Sequence, residues 1–532
     1  MGAVRRPCAS PWSTAATTRH PHGAPTIPGP RQVRHVALFG RQPRPRRPPL
    51  PLDAADPLAP SPGTALVRPV EGRASSLLRK TRSERLREWV DRQARNSPAR
   101  LALAVFTIII IAVIALLSLP FAAAEDDPVA FVDVFFTAVS AVCVTGLTTV
   151  DTATHWSVFG QGVIALGIAV GGLGVMTLAS VLGLAVSRHL GLTQRMLAAA
   201  ETKSSGLGRV GTLLRAVIGT SLIAEGVLFL VFLPRFVSLG DSVPEATWHA
   251  LFMAISVFNN AGFVILEGGL TPHVGDWWML GPIALGTVVG AIGFPVVTDI
   301  AERWRTPRRW TLHTKLTLST YGVLAVVGSL LLALTEWTNP DTLGDLDVGS
   351  KLLNILLAGV NTRSSGLSAL DVSQMRSQTH FVQDILMLIG GGSASTAGGI
   401  KVTTFAVLML AVLAEARGDR DLEAFGRRIP INVVRLAVAV TLIGVSMVCV
   451  SVVLLLTLTD LSLDVILFET ISAFATVGLS TGITPTLPAA AKYVLAVLMY
   501  AGRTGTMTVA AALALRERRR VIRMPEERPI IG

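Results

Sequence analysis

The sequence contains few charged residues and few cysteines. Charged side chains make up only 15% of the 532 residues, well below the roughly 25% of a typical soluble domain. The three cysteines, Cys8, Cys143 and Cys449, are too few and too scattered for a disulfide framework or a metal site. Hydrophobic residues account for 51% of the chain, and its mean hydropathy is +0.56. This apolar content exceeds what a soluble core needs and predicts a polytopic membrane protein.

Acidic residues are in the minority, with 35 Asp and Glu against 47 Lys and Arg, which gives a formal net charge of +12. Such a charge is also typical of nucleic-acid-binding proteins. The basic residues, however, lie in the amino-terminal tail and in loops between apolar stretches, where membrane topology accounts for them. No basic patch lies on a foldable soluble domain, so we expect no nucleic-acid partner.

Residues 1–98 lack a sustained hydrophobic period and are rich in Pro, Arg, Ala and Ser. This composition predicts a disordered, basic cytoplasmic tail, with a helix on the membrane surface from Arg79 to Arg95. The Arg-rich, acid-poor composition also resembles an organellar transit peptide, and a mis-assigned start codon is a further alternative. We expect the tail to contribute nothing to the fold.

Eight apolar stretches are long enough to cross about 30 Å of hydrocarbon. They are Leu101 to Ala123, Phe159 to Val186, Leu213 to Phe236, Trp278 to Ile300, Leu316 to Leu334, Phe381 to Ala414, Val433 to Leu458 and Tyr493 to Leu515. Between each odd and even span lies an apolar run of about ten residues, which at about 1.5 Å per residue is too short to cross the bilayer. Such a run can only enter the membrane and return.

Each short run is followed by a loop that contains glycine. The four glycines, Gly146, Gly262, Gly366 and Gly478, are separated by 116, 104 and 112 residues, which indicates an internal repeat. The predicted fold is therefore an all-α membrane protein with four repeats of transmembrane helix, re-entrant pore helix, filter loop and transmembrane helix around one pseudo-fourfold pore. The expected boundaries are 99–190, 191–302, 303–416 and 417–516, with a cytoplasmic tail at 517–532.

The charges in the connecting segments indicate the orientation. Lys and Arg cluster between the repeats and after the last span, so these segments and both termini are expected on the cytoplasmic side of the cell membrane. Acids precede every short run: Glu125, Asp126 and Asp127; Asp241 and Glu245; Asp341, Asp345 and Asp347; Asp460 and Asp464. We expect these acids to concentrate cations at the outer mouth, although acids also collect wherever basic residues are excluded.

The glycine loops have the properties of a cation filter. Without a Cβ, glycine adopts positive φ and turns successive carbonyls to one side, and a ring of carbonyls can replace the water around a dehydrated cation. The predicted filter residues, which would bind potassium through backbone carbonyls, are Val144, Thr145, Gly146, Asn260, Ala261, Gly262, Ser364, Ser365, Gly366, Thr476, Val477 and Gly478. The carboxyl ends of the four re-entrant helices would stabilise a cation below the filter.

These loops resemble those of the Trk/Ktr/HKT superfamily of potassium transporters. The resemblance extends over about residues 100 to 532 and includes Gly171 to Gly174, Phe258 to Phe263, Gly290 to Pro295, Gly390 to Lys401 and Phe474 to Ser480. Eight spans and the ending Pro525 to Arg528 are most similar to the Ktr-type (KtrB-like) membrane subunit. The resemblance implies a homodimer, a cytosolic Rossmann-type (RCK/KtrA-like) regulatory subunit that binds ATP or ADP, and activation by sodium.

A run of small residues interrupts the sixth span. Its glycines and hydroxyl residues should break the helix, and the resemblance implies a flexible intramembrane loop below the filter; close helix packing through Gly398 and Gly399 is the alternative. The predicted gate residues are Gly391, Gly392, Ser393, Ala394, Ser395, Thr396 and Arg503. Arg503 lies inside the last span and needs acceptors, which loop carbonyls would supply. Glu225, in the third span, is interpreted as a structural acid.

Two further motifs favour other functions. Residues 206–211 fit G-x-G-x-x-G, but no strand precedes them, so we expect no dinucleotide site. Gly478 to Gly482 fit G-x-S-x-G, which would make Ser480 the nucleophile of an intramembrane hydrolase. The strand that such an elbow requires is missing here too, and we expect no enzyme activity.

The sequence therefore predicts potassium uptake across the cell membrane through a filter of backbone carbonyls. The uptake would be gated by the intramembrane loop and regulated by the cytosolic subunit. No cofactor is expected on this chain; potassium is the transported ion. The alternative is a Trk/HKT-like cation transporter that carries or couples sodium.

Overall fold

The protein was analysed as a computed structural model, which describes residues 98–124, 129–188 and 208–505 and the single residues Pro525 and Glu527. The expected amino-terminal tail, with its surface helix, lies outside this part of the chain except for Pro98. The expected carboxyl-terminal tail lies outside it except for the two single residues. The description below therefore concerns the four repeats.

The described residues are mostly helical, and the predicted all-α class is confirmed. The exception is a small antiparallel hairpin of β1 (Leu422–Ala424) and β2 (Arg427–Ile429), in which Leu422 pairs with Ile429. Phe425 and Gly426 close it with φ of 50° and 71°, the left-handed pair that a two-residue hairpin turn requires. The sequence analysis did not predict this hairpin.

The first repeat contains two long helices around one short helix: α1 (Pro98–Leu117), α2 (Phe131–Cys143) and α3 (Val158–Arg188). The 13 residues of α2 span only about 20 Å at about 1.5 Å per residue, so α2 is too short to cross the membrane. Its carboxyl-terminal half, from Phe136 onward, is buried. The helix α3 packs so closely behind α2 that a Cβ on Gly171 would collide with the Val142 carbonyl.

The second repeat has a bent helix at its end: α4 (Gly208–Leu239), α5 (Val243–Asn259), α6 (Trp277–Ile292) and α7 (Phe294–Arg303). The sequence analysis treats Trp278 to Ile300 as one span, but α6 and α7 meet at 96°. Gly293, with φ 89° and ψ 150°, makes the turn, and Pro295 follows it in the first turn of α7. Proline is tolerated there because the first helical amides lack intrahelical partners.

The third repeat contains the predicted interruption: α8 (Leu312–Glu336), α9 (Val348–Asn361), α10 (Ser377–Leu388) and α11 (Val402–Arg417). Residues 389–401, named the interrupting loop below, are not helical. The predicted break in the sixth span is thus confirmed.

The fourth repeat consists of α12 (Ile431–Leu458), α13 (Leu463–Ala475) and α14 (Ala489–Tyr500). One π-helical turn, Ala501–Gly505, extends α14. The rest of the predicted eighth span, to Leu515, lies outside the described residues.

Short helical turns occur at several connections in the described ranges. They are Pro120–Ala122, Thr152–His155, Thr271–His273, Pro307–Arg309, Pro340–Gly344, Val372–Gln374 and Thr484–Thr486.

By length and composition, three helical segments of the described chain could each cross a membrane: Arg215–Leu239, Leu312–Glu336 and Ile431–Leu458. The bent pair α6 and α7 makes a fourth if it counts as one span. The described residues thus contain fewer than the eight predicted spans. The sixth is divided, and the eighth is described only in part. Apolar segments of the first two spans also appear, as the shorter helices Leu103–Leu117 and Val158–Gly174.

Some acids before the short helices have a local structural role. The Asp347 carboxylate accepts hydrogen bonds from the Ser350 amide at 3.1 Å and the Ser350 hydroxyl at 2.6 Å. These bonds hold the pKa of Asp347 below its usual value. Glu245 similarly accepts from the Ser242 amide at 3.1 Å. Acids at helix amino termini are stabilising, so cation steering is not the only explanation for these two residues.

Candidate functional site: a ring of four glycine loops

Three of the four short helices end in the same way. The residues that follow α2, α5 and α13 are Val144, Asn260 and Thr476, with φ of 57°, 58° and 49°. Left-handed backbone is uncommon for residues other than glycine, above all for β-branched valine and threonine. Loops 1, 2 and 4 (residues 144–146, 260–262 and 476–478) thus leave their helices by the same sharp turn.

A serine six residues before the glycine holds each of these three turns. In loop 1 the Gly146 amide donates to the Ser140 hydroxyl at 3.1 Å, and in loop 4 the Gly478 amide donates to Ser472 at 3.1 Å. In loop 2 the Ser256 hydroxyl donates to the Phe263 carbonyl at 2.7 Å. The sequence analysis missed these serines, although their constant spacing from the glycine was a readable signal.

Loop 3 (residues 364–366) is built differently. Its helix α9 ends at Asn361, and Thr362 keeps right-handed backbone with φ −52°. Asn361 replaces the serine: its carbonyl accepts from the Ser364 and Ser365 amides at 3.0 Å, and its side-chain amide donates to the Leu367 carbonyl at 2.8 Å.

A buried arginine precedes loop 3. Arg363 has 0% exposure, its guanidinium lies 3.7 Å from the centre of the Tyr321 ring, and its Nη1 donates to the Tyr321 carbonyl at 3.0 Å. Cation–π contact and hydrogen bonding compensate part of the cost of burying this charge. The sequence analysis did not assign Arg363 a role.

The four glycines have positive φ, at 91° for Gly146, 75° for Gly262, 62° for Gly366 and 93° for Gly478. They also pack against one another's loops. A Cβ added to any of them would come within 3.0 Å of a backbone oxygen of a neighbouring loop, a distance that real side chains do not tolerate. Only glycine fits these positions, for both conformational and steric reasons.

The neighbouring oxygens follow one cyclic order. Beside Gly146 lies the carbonyl of Ala261, beside Gly262 that of Ser365, beside Gly366 that of Val477, and beside Gly478 that of Thr145. Each oxygen belongs to the residue immediately before the next glycine, and the fourth contact closes back on the first loop. The structure therefore brings the four predicted filter segments together in a closed ring.

The interrupting loop lies against the bend between α6 and α7. The Gly392 amide donates to the Ala291 carbonyl at 2.7 Å, the Thr396 amide to Gly290 at 3.3 Å, and the Phe294 amide to Ala394 at 3.3 Å. A Cβ on Gly293 would lie 2.8 Å from the Ser393 carbonyl. The glycines at 290–293 thus make room for the loop, and the loop supplies partners to the interrupted helix.

The same loop touches the ring of glycine loops on two sides. Thr396 forms a hydrogen bond through its hydroxyl with the side chain of Asn260 in loop 2. A Cβ on Gly398 would collide with the hydroxyl of Thr476 in loop 4 and lie 2.8 Å from the Ala475 carbonyl. Close packing at Gly398, the alternative weighed for this residue, occurs together with the loop.

The predicted gate residues meet at this place. Arg503 is 1% exposed, and its Nη1 donates to the Thr396 carbonyl. Within the loop, the Ser395 hydroxyl donates to the Gly392 carbonyl at 2.6 Å, and Ala394 has φ 56°. The Ser393 hydroxyl lies 3.0 Å from that of Thr403. The loop is held by internal bonds, by the α6–α7 bend, and by the side chains of Arg503 and Lys401, which donate to the carbonyls of Thr396 and Ala397.

Two acids lie directly behind glycine loops. Glu225 of α4 accepts from the side-chain amide of Asn259, the residue before loop 2, at 2.9 Å. Glu469, in the middle of α13, has 0% exposure and lies beside the chain that leaves loop 4. The sequence analysis gave Glu225 only a structural role and missed Glu469, although an acid in the apolar run of α13 was visible.

The serine of the G-x-S-x-G motif does not have the surroundings of a hydrolase nucleophile. Its hydroxyl donates to Glu469 Oε1 at 3.0 Å and accepts from the Gly482 amide at 2.9 Å. A hydrolase serine instead donates to a general base, most often a histidine, beside an oxyanion hole. Of the other motif, residues 206–207 lie outside the described chain, and helix α4 begins at Gly208.

Comparison with known proteins identifies the family of the chain. A family model described as cation transport protein (TrkH) matches residues 85–520. The Ktr system potassium uptake protein B of Bacillus subtilis (strain 168) is 37% identical over 82% of this chain and 96% of its own length. The potassium/sodium uptake protein NtpJ of Enterococcus hirae is 34% identical over 82% of this chain and 98% of its own.

A solved structure gives the same fold. The crystal structure of the potassium transporter TrkH from Vibrio parahaemolyticus superimposes with a TM-score of 0.61 at 17% identity. The match covers 77% of this chain and 83% of that one. The relatives are named as ion transporters rather than as enzymes, and the hydrolase interpretation of Ser480 is not supported. The chain belongs to the TrkH family of cation transport proteins, within which its curated relatives include Ktr-type membrane subunits.

Proposed function

We propose that this chain mediates potassium uptake, with the ion passing through the centre of the ring of glycine loops. The observation that carries the proposal is the cyclic contact of each glycine with the carbonyl before the next glycine, at Thr145, Ala261, Ser365 and Val477. Backbone oxygens from four segments are thereby held around one axis. Carbonyl rings of this kind replace the hydration shell of potassium in known filters.

The helix ends support cation binding at the same place. The four short helices end at Cys143, Asn259, Asn361 and Ala475, each within five residues of its glycine. The carboxyl end of a helix carries about half a negative charge. Four such ends around the ring favour a cation there without any ionised acid.

We propose that the interrupting loop is the gate and that Arg503 holds it closed. The support is the position of the loop against Asn260 and Thr476, and the bond from Arg503 to the Thr396 carbonyl. A fixed positive charge near an ion path opposes cation passage. Release of the bond to Thr396 would let the loop leave the path.

We further propose that the chain works in the plasma membrane as a homodimer with both termini in the cytoplasm. A cytosolic Rossmann-type subunit that binds ATP or ADP would regulate it, with sodium as a possible activator. The support is the similarity to a protein named as part of a Ktr system, together with the basic residues between the repeats.

The test is flux of rubidium, as a tracer for potassium, and of sodium into proteoliposomes that contain only the purified full chain. Rubidium flux that potassium competes with and that exceeds sodium flux supports the proposal. Comparable fluxes of the two ions would favour the sodium-carrying alternative. The Enterococcus hirae relative is named a potassium/sodium uptake protein, which supports testing this alternative. Flux of neither ion would overturn the proposed pore.

A further inference from the structure

Glu469 is an acid that the proposed pore does not use. It lies in the middle of α13, has 0% exposure, and its neighbours Phe468 and Thr470 are buried as well. A carboxylate in such a place is costly unless hydrogen bonds compensate it. Its partners therefore indicate what it does.

Both partners lie on the chain that leaves loop 4. Glu469 Oε1 accepts from the Ser480 hydroxyl at 3.0 Å and from the Thr484 hydroxyl. Thr484 is 1% exposed and begins the helical turn Thr484–Thr486. One carboxylate oxygen thus ties both ends of the segment 480–484 to the pore helix.

This tie lies one residue away from the ring. A Cβ on Gly366 would come close to the Val477 carbonyl and lie 2.8 Å from the Leu479 amide. Leu479 is covalently joined to Ser480, so any displacement of Ser480 changes the contact between loops 3 and 4. Loop 4 itself is fixed to α13 by the bond from the Gly478 amide to the Ser472 hydroxyl.

The arrangement is confined to the fourth repeat. Nine residues before their glycines, the other repeats carry Thr137, Met253 and Leu357 at the position of Glu469. Methionine and leucine are apolar, and the buried Thr137 hydroxyl has no hydrogen-bond partner. The chain that leaves loop 4 is therefore supported by a carboxylate of its pore helix, and the other three pore helices have no carboxylate at this position.

We infer that Glu469 is a positioning residue for ion selectivity. It fixes residues 480–484, which follow loop 4, and thereby the Val477 and Gly478 carbonyls. The inference rests on the proposed function, since it assigns selectivity to the same ring. It requires only that an acceptor stands at position 469. Glutamine, which keeps a carbonyl oxygen, should therefore replace glutamate, whereas methionine of similar size should not.

The experiment measures rubidium and sodium flux for the full chain with Glu469→Gln and Glu469→Met in proteoliposomes. We expect Glu469→Met to lower the rubidium-to-sodium ratio about fivefold, and Glu469→Gln to change it less than about twofold. Glu336 provides a matched control: it is 1% exposed and accepts from Thr342, Asn339 and Arg376 at 2.6 to 2.9 Å. It bonds no glycine loop, so Glu336→Met should reduce the yield of folded protein and leave the ratio unchanged.

A second measurement covers the case in which Glu469→Met does not fold. The double variant Ser480→Ala, Thr484→Val removes the same hydrogen bonds from the other side and should lower the ratio in the same direction. Hydrogen exchange of residues 479–486 should rise in either variant, while exchange of residues 337–346 stays constant.

The possible failures are distinct. An unchanged ratio in a folded Glu469→Met variant, or an equal fall with Glu336→Met, would overturn the role of Glu469 and leave the pore proposal intact. A parent chain that conducts neither ion would overturn the proposed function itself.

Discussion

Loops 1 and 4 differ from loop 3 in how they reach the same ring. In loops 1 and 4 the chain turns into left-handed backbone directly after the helix, and a serine hydroxyl accepts from the glycine amide at 3.1 Å. In loop 3 the helix ends two residues earlier relative to the glycine, and Asn361 bonds the loop through its carbonyl and its side chain. The positions of the glycine and of the preceding carbonyl are shared, whereas the support behind them is not.

The largest effect is expected from a side chain at a ring glycine, whichever support its loop has. Gly478→Ala and Gly366→Ala would each place a Cβ against backbone of the adjoining loop, so both should abolish selective rubidium flux. Gly482 is the matched control, because it has φ 85° but no atom within 4 Å of an added Cβ. Gly482→Ala should cost about 1 to 2 kcal/mol of unfolding free energy and retain flux. Equal loss of flux in all three variants would show that positive φ, and not the ring contact, decides.

The next effect concerns the interrupting loop, which packs against loop 4. Gly398 of the interrupting loop packs on Thr476, and Arg503 bonds the Thr396 carbonyl. Arg503→Ala should raise basal rubidium flux of the chain alone, because the loop loses a buried bond worth about 1.5 to 3 kcal/mol. Removal of 392–396 should act in the same direction. The control is Arg235→Ala. It removes an ion pair in which Arg235 Nε lies 2.7 Å from Asp276 Oδ2, and because this pair is not part of the interrupting loop, flux should be unchanged.

A smaller difference should separate the two kinds of support. Asn361→Ala leaves the buried Leu367 carbonyl without its partner, which costs about 1 to 3 kcal/mol. Ser472→Ala removes one acceptor from the Gly478 amide and should cost about 1 kcal/mol. We expect a larger fall in the rubidium-to-sodium ratio and in the thermal midpoint for Asn361→Ala. The reverse order would mean that the backbone bonds of Asn361 suffice for loop 3.

The smallest expected difference is between loops 1 and 4 themselves. Ser140 and Ser472 make the same bond at the same distance, so Ser140→Ala and Ser472→Ala should lower thermal stability by equal amounts, within about 0.5 kcal/mol. Their effects should not simply add in the double variant, because Gly478 packs directly against Thr145 and Gly146 of loop 1. A clear inequality would show that the similar geometry conceals different surroundings.

The sequence predicted the ring better than its supports. Glycines at a period of just over a hundred residues are readable because both the backbone and the close contact require glycine. The helix break at 389–401 was readable for a similar reason, since small residues destabilise a helix wherever they cluster. The bend at Gly293 was not predicted, because one glycine within an apolar run is also compatible with a straight span.

Side-chain partners were harder to predict because they join distant parts of the chain. Glu225 and Asn259 are 34 residues apart, and Asn260 and Thr396 are 136 apart. Nothing local distinguishes such pairs from unpaired polar residues. The roles assigned to the filter and gate residues remain predictions that the flux measurements above will decide.

The bonds between the interrupting loop and the α6–α7 bend make these two segments one mechanical unit. Gly392, Ala394 and Thr396 exchange backbone hydrogen bonds with residues 290–294 on both sides of Gly293. The loop can therefore move together with α7 about Gly293 only if its bonds to Gly290 and Ala291 of α6 break. A rotation of α7 about Gly293 would displace its carboxyl-terminal end most. This end, Arg303, is the first residue of the basic segment 303–315 and is accessible from the surface of the bundle.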